Sequence, residues 1–80
     1  MAPQLGQLQK KFLILLHNLA GDYYFDQNKF GHAIHDYDCC LEFDTENTHA
    51  IMGLAKSYRL LGLYQISEKY YLKITHSYDW

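Results

Sequence analysis

The sequence predicts an all-α fold of four helices, arranged as two antiparallel helix-turn-helix hairpins with an extended N-terminal helix. Three observations carry this. Apolar residues recur at spacings of three and four, and nowhere alternate with the period of two that a half-buried strand would show. Polar or glycine-containing breaks near residues 28–31, 44–47 and 62 divide the chain into segments of helical length. Residue classes also repeat at an offset of 34 positions.

The first helix is predicted over about residues 4–27. Pro3 suits a first helical turn. Leu5, Leu8, Phe12, Leu15 and Leu19 form one face, which Leu13, Ile14 and Leu16 widen until the helix is apolar nearly all round. Such a helix calls for cover on several sides. After the break at Asn28 and Lys29, a second helix runs over about 31–43, with Phe30, Ala33, Ile34, Tyr37, Cys40 and Leu41 inward. Residues 44–47 are turn and capping types, and Asn47 or Thr48 can cap the third helix, about 48–60. Its inward residues are Ile51, Leu54, Ala55 and Tyr58. Gly62 supplies a left-handed stop, and a fourth helix spans about 64–76 with Tyr64, Tyr71 and Ile74 inward. Tyr23, Tyr70 and Tyr78 fall outside this register and are candidate interface anchors. His76 sits favourably at a helix C-terminus.

The 34-residue offset relates Tyr24 to Tyr58, Phe30 to Tyr64, Ala33 to Ser67 and Tyr37 to Tyr71. Gly21 with Ala55, and Cys40 with Ile74, keep their class. One repeat reads His17-x-x-Ala20-Gly21-x-x-Tyr24 and Ala33-x-x-x-Tyr37; the other reads Ile51-x-x-Leu54-Ala55-x-x-Tyr58 and Ser67-x-x-x-Tyr71. Gly21, Ala33, Ala55 and Ser67 are small enough to let antiparallel helices approach, and the four tyrosines fill the space beside them. This pattern resembles the tetratricopeptide repeat (TPR) family over about residues 14–80, with one repeat at about 14–47, a second at about 48–80 and an N-terminal helical extension at about 4–13, all in a single domain over 1–80. His17 and Ile51 depart from the family's usual aromatic, and Thr45 stands where its loop proline would be.

The resemblance implies a short right-handed α-solenoid whose concave face, lined by the first helix of each hairpin, binds a protein or peptide. Carried over by register, the groove residues are Asn18, Asp22, Phe25 and Asp26 from the first repeat and His49, Met52, Lys56 and Arg59 from the second. Asp22 stands where a carboxylate clamp for chaperone tails would need an amide, which disfavours such tails; with Asp22 and Asp26 at one end and Lys56 and Arg59 at the other, the groove suits a segment of mixed charge. About three repeats are normally needed for a stable array. Two repeats leave apolar surface at both ends, which implies self-association or docking in a larger assembly, unless the long first helix folds back and caps the stack.

Bulk properties bound the alternatives. Eighty residues make one domain at most, and a 49% hydrophobic content is enough for a core. Net charge is −2 and the densest basic stretch is Lys10-Lys11, which argues against a nucleic-acid partner. The longest apolar run, residues 12–16, is far short of the ~20 residues of a membrane span. The adjacent Cys39 and Cys40 make no disulfide framework, and with no charged-then-apolar leader the chain reads as intracellular, in the cytoplasm. His32, His35 and Cys39 share a helix face, but the spacing is no recognised zinc signature and the register turns them outward, so no metal or other cofactor is expected. A Cys–His nucleophile in the same stretch lacks an orienting group, so the chain is expected to bind rather than catalyse. Two expectations follow: an interaction module or adaptor, or a structural subunit of a larger complex with no free peptide ligand.

Overall fold

A computed structural model describes residues 6–77. All of its regular structure is helical: α1 (Gln7–Asp26), α2 (Phe30–Phe43), α3 (Thr48–Leu60) and α4 (Tyr64–Ser77). Pro3, Leu5 and Tyr78 lie outside the described residues, and His76 lies outside those with described side chains.

The helices begin and end for local reasons. α1 closes on Asn28, which adopts a left-handed φ of 62°. The Asn28 N–H donates to Phe25 O and the Lys29 N–H to Tyr24 O, both at 2.9 Å, which together satisfy the last carbonyls of the helix. α3 closes in the same way on Gly62, at φ 85°. There the Gly62 N–H donates to Arg59 O and the Leu63 N–H to Tyr58 O, again both at 2.9 Å. In each case the next helix starts with the same bond, Ala33 N–H to Lys29 O and Ser67 N–H to Leu63 O, at 3.0 Å. The two turns are therefore equivalent bond for bond at the 34-residue offset. Asparagine is the residue besides glycine that enters this region most readily, which lets position 28 serve where position 62 uses glycine. α3 opens on Asn47, whose side chain accepts from the Ala50 N–H at 2.9 Å.

α2 is the middle helix. It packs against α1 on one side and α3 on the other, α3 in turn packs against α4, and α1 touches α3. The buried core is Ala33, Tyr37 and Cys40 from α2 with Ala50, Ile51, Leu54 and Ala55 from α3. Phe30, Ile34 and Leu41 are half-buried as expected. The centre of the packing is Tyr37. Its ring occupies the space that side chains at Gly21 of α1 and Gly53 of α3 would need: a Cβ at Gly21 would lie 2.7 Å from Tyr37 Cε1, and one at Gly53 would collide with the ring's far end. The small residues of the repeat pattern behave alike. Ala55 is fully buried, and Ser67 is buried with its hydroxyl donating to Ala55 O at 2.6 Å. Leu54 is fully buried, while Ala20, Tyr24, Tyr58 and Tyr71 are half-buried.

Three sequence expectations are corrected. Tyr64 is 68% exposed, and its place against the core is taken by Tyr70, which stacks on Tyr58 with ring centroids 5.8 Å apart. Tyr70, further into α4, packs against the core, whereas Tyr64, the helix's first residue, stays largely exposed beside Arg59. The leucine stripe of α1 is not its packing face: α1 turns Asn18 and Gly21 inward and leaves Leu8, Phe12, Leu15, Leu16 and Leu19 exposed. Finally, α1 is one continuous helix over Gln7–Asp26, so it does not fold back as a cap.

Candidate functional site

Between α1 and α3 lies a groove of about 350 Å³ lined by Asp22, Phe25 and Asp26 from α1, Tyr37 from α2, and His49, Met52, Gly53 and Lys56 from α3. Six of the eight residues placed by register therefore come together, because positions 22, 25 and 26 share one side of α1 and positions 49, 52 and 56 share the facing side of α3. The other two lie elsewhere. Asn18 is buried: its Nδ2 donates to Asn47 Oδ1 at 3.1 Å, and its Oδ1 accepts from the Cys40 thiol at 3.2 Å. It is a structural tie among α1, α2 and the start of α3. Arg59, at the last turn of α3, lines a separate hollow of about 390 Å³ with Tyr64, Gln65, Ser67, Glu68 and Tyr71. Position 59 has turned away from α1 toward α4.

The groove floor is organised around Asp22. The Tyr37 hydroxyl donates to its Oδ1 at 2.5 Å, and His49 Nε2 lies 2.9 Å from both carboxylate oxygens. Tyr37 was expected only as a packing residue and His49 only as a wall. The Tyr37–Asp22–His49 connection joins residues from three helices, so no spacing along the chain signals it. Burial, followed by the Asp22 hydrogen bond and the nearby carboxylates of Asp22 and Asp26, holds the Tyr37 phenol well above its ordinary range. Tyr37 is thus a neutral donor at any physiological pH, and it fixes the Asp22 carboxylate from below. Asp26, exposed, sets a second negative charge on the same wall, while exposed Lys56 stands on α3. Phe25 and Met52 supply apolar surface between them.

The cysteine and histidine cluster of α2 offers no comparable arrangement. His32 and His35 are exposed, and His32 packs its ring against Tyr24 at 5.1 Å. Among the described residues, no three His, Cys, Asp or Glu side chains converge where a metal ion could sit. Burial pushes the Cys40 thiol up to about 11, and burial with the Glu42 charge also raises Cys39. Both stay protonated near neutrality, the reverse of an activated nucleophile. His17, which stands where an aromatic was expected, pairs its Nδ1 with Asp36 Oδ1 at 3.0 Å and so links α1 to α2 through polarity instead of ring packing.

No family model, curated protein or solved structure matches the chain. Among the described residues, no helix is long and apolar enough to cross a membrane.

Proposed function

We propose that this chain is a protein-interaction module of tetratricopeptide type, with its two hairpins stacked as a short right-handed solenoid and a partner segment held in the α1/α3 groove. The observation that carries this reading is the groove itself. α1 supplies Asp22 and Asp26, Phe25 and Met52 supply apolar surface, and a lysine stands on the facing wall. A peptide of mixed charge matches it: a basic side chain toward Asp22 and Asp26, an apolar side chain over Phe25 and Met52, an acidic side chain toward Lys56. The hydrogen-bonded floor is preorganised, which lowers the ordering cost of binding.

The test is a binding titration of mixed-charge peptides, selected from a display library against the intact chain, with Asp26→Lys and Lys56→Glu as variants. Both side chains are exposed, so the fold is expected to survive. Each variant should weaken the selected peptide about tenfold, and a peptide with the matching charge reversed should recover it. Equal affinity for all variants would remove the groove from consideration.

A second reading, a structural subunit of a larger assembly, draws on a different observation: the exposed apolar stripe of α1. In that role the stripe, rather than the groove, is the working surface.

A further inference from the structure

We propose that the chain forms a twofold-symmetric dimer in which α1 pairs with α1 of a second copy, antiparallel, through Leu8, Phe12, Leu15, Leu16, Leu19 and Tyr23.

The stripe has the form of a helix-pairing seam. Leu8, Phe12, Leu15 and Leu19 follow one another at intervals of four, three and four, the spacing that keeps apolar side chains in line along a helix pair. The six side chains are 48–80% exposed, and they lie on the side of α1 away from α2. Leu8, Phe12 and Leu15 form an open, almost wholly apolar patch on this face. Together the six present several hundred Å² of apolar surface, on the order of the ~800 Å² per partner of a stable interface.

The repeat register shows that this face is a packing face. Leu16, Leu19 and Tyr23 correspond, 34 positions on, to Ala50, Gly53 and Ser57 of α3, all buried, with Ala50 and Gly53 packed against α2. The comparison also selects the partner. α2 docks on α3 because Gly53 leaves room for the Tyr37 ring. The α4 helix of a second copy, carrying Tyr71 in the place of Tyr37, would meet Leu19 where that glycine is needed. Head-to-tail continuation of the stack is therefore blocked by shape. Two leucine-rich faces interdigitate without such a clash.

Charge sets the direction. α1 has no acidic residue in its first turn and no basic residue in its last. Lys10 and Lys11 lie near its N-terminus and Asp26 is its final residue, an order opposed to the helix dipole. An antiparallel second α1 places the Asp26 end of one helix beside the N-terminal end of the other, where Lys11 flanks the seam, twice by symmetry. A parallel pair, or a lone helix, leaves the mismatch in place. The apolar seam lies on α1, and Asp26, which also lines the groove, is the residue this inference shares with the proposed function.

Sedimentation equilibrium of the intact chain over a wide dilution range should give a monomer–dimer equilibrium that stops at two. Leu15→Glu should raise the dissociation constant by on the order of 100-fold or more, since the twofold buries the new carboxylate in duplicate. Lys10→Glu with Lys11→Glu should weaken the dimer while raising helicity of the monomer. Lys56→Glu, which tests the groove, should leave the dimer unchanged. In a Cys39→Ser background, Leu16→Cys lies close to the twofold axis and should yield a covalent dimer under mild oxidation. A head-to-tail contact cannot bring two copies of residue 16 together. A monomer at all concentrations, growth beyond two, or a dimer indifferent to Leu15→Glu would overturn the proposal.

Discussion

Tyr37 and Tyr71 occupy the same place in the two repeats, yet they live in different surroundings. Tyr37 is buried between Gly21 and Gly53 with its hydroxyl on Asp22. Tyr71 is half-buried at the edge of the hollow beside Arg59 and Glu68. The residue type and the helix position are equal, so neither determines burial. What differs is the next helix: α3 closes over Tyr37, and among the described residues no helix closes over Tyr71. In this chain of packed helices a ring is made into core by the helix that follows it.

The sharpest way to break this contrast is to delete each ring. Tyr37→Ala should cost about 3–5 kcal/mol, the range of large-to-small core changes, enough to unfold a chain of this size. Tyr71→Ala should cost about 1 kcal/mol or less. Urea denaturation followed by circular dichroism reads both; similar losses would mean the two repeats carry equal weight. Next in size are the glycines that house the ring. Gly21→Leu and Gly53→Leu should each destabilise by about 1–3 kcal/mol or more through overpacking. Gly31, with no heavy atom in the way of a Cβ, should accept alanine with a gain of up to about 1 kcal/mol. Unaltered melting of either leucine variant would dissolve the small-against-large account.

The smallest effect concerns pH. Folding raises the Tyr37 pKa above that of the unfolded chain, so the unfolded state releases its proton first as the solution becomes alkaline. The stability that depends on Tyr37 is complete below about pH 10 and declines above it, by at most about 1.4 kcal/mol per pH unit. Tyr58 and Tyr70, also raised by burial, act with the same sign. Tyr37→Phe should flatten the decline between pH 9 and 11 in denaturant titrations; an undiminished slope would assign the alkaline loss to other groups.

Much of the fold is legible in the sequence because helices announce themselves locally. The breaks at 28–29, 44–47 and 62 fall where α1, α2 and α3 end, and the inward faces of α2 and α3 follow their apolar spacing. α1 defeats that method. Its leucines outnumber what one contact can cover, so the count of apolar residues points to the wrong side. The true contact uses a buried asparagine and a glycine, which hydropathy ranks as surface. Ala50, Gly53 and Ser57 escape apolar spacing for the same reason: they are buried for being small. In the groove, register alone placed Asp22, Phe25, Asp26, His49, Met52 and Lys56. The bonds that tie Tyr37 and His49 to Asp22 depend on three helices meeting, which no single segment encodes.

Tyr37 has one further consequence. The ring that spaces α1 from α3 and the hydroxyl that anchors the groove floor belong to a single side chain. Under the proposed function, recognition and cohesion share a coordinate. A ligand that leaves Asp22 with Tyr37 tightens the molecule and raises its melting temperature in step with affinity. One that draws Asp22 away binds against the hairpin junction, and its apparent affinity becomes a gauge of how firmly the two repeats are joined.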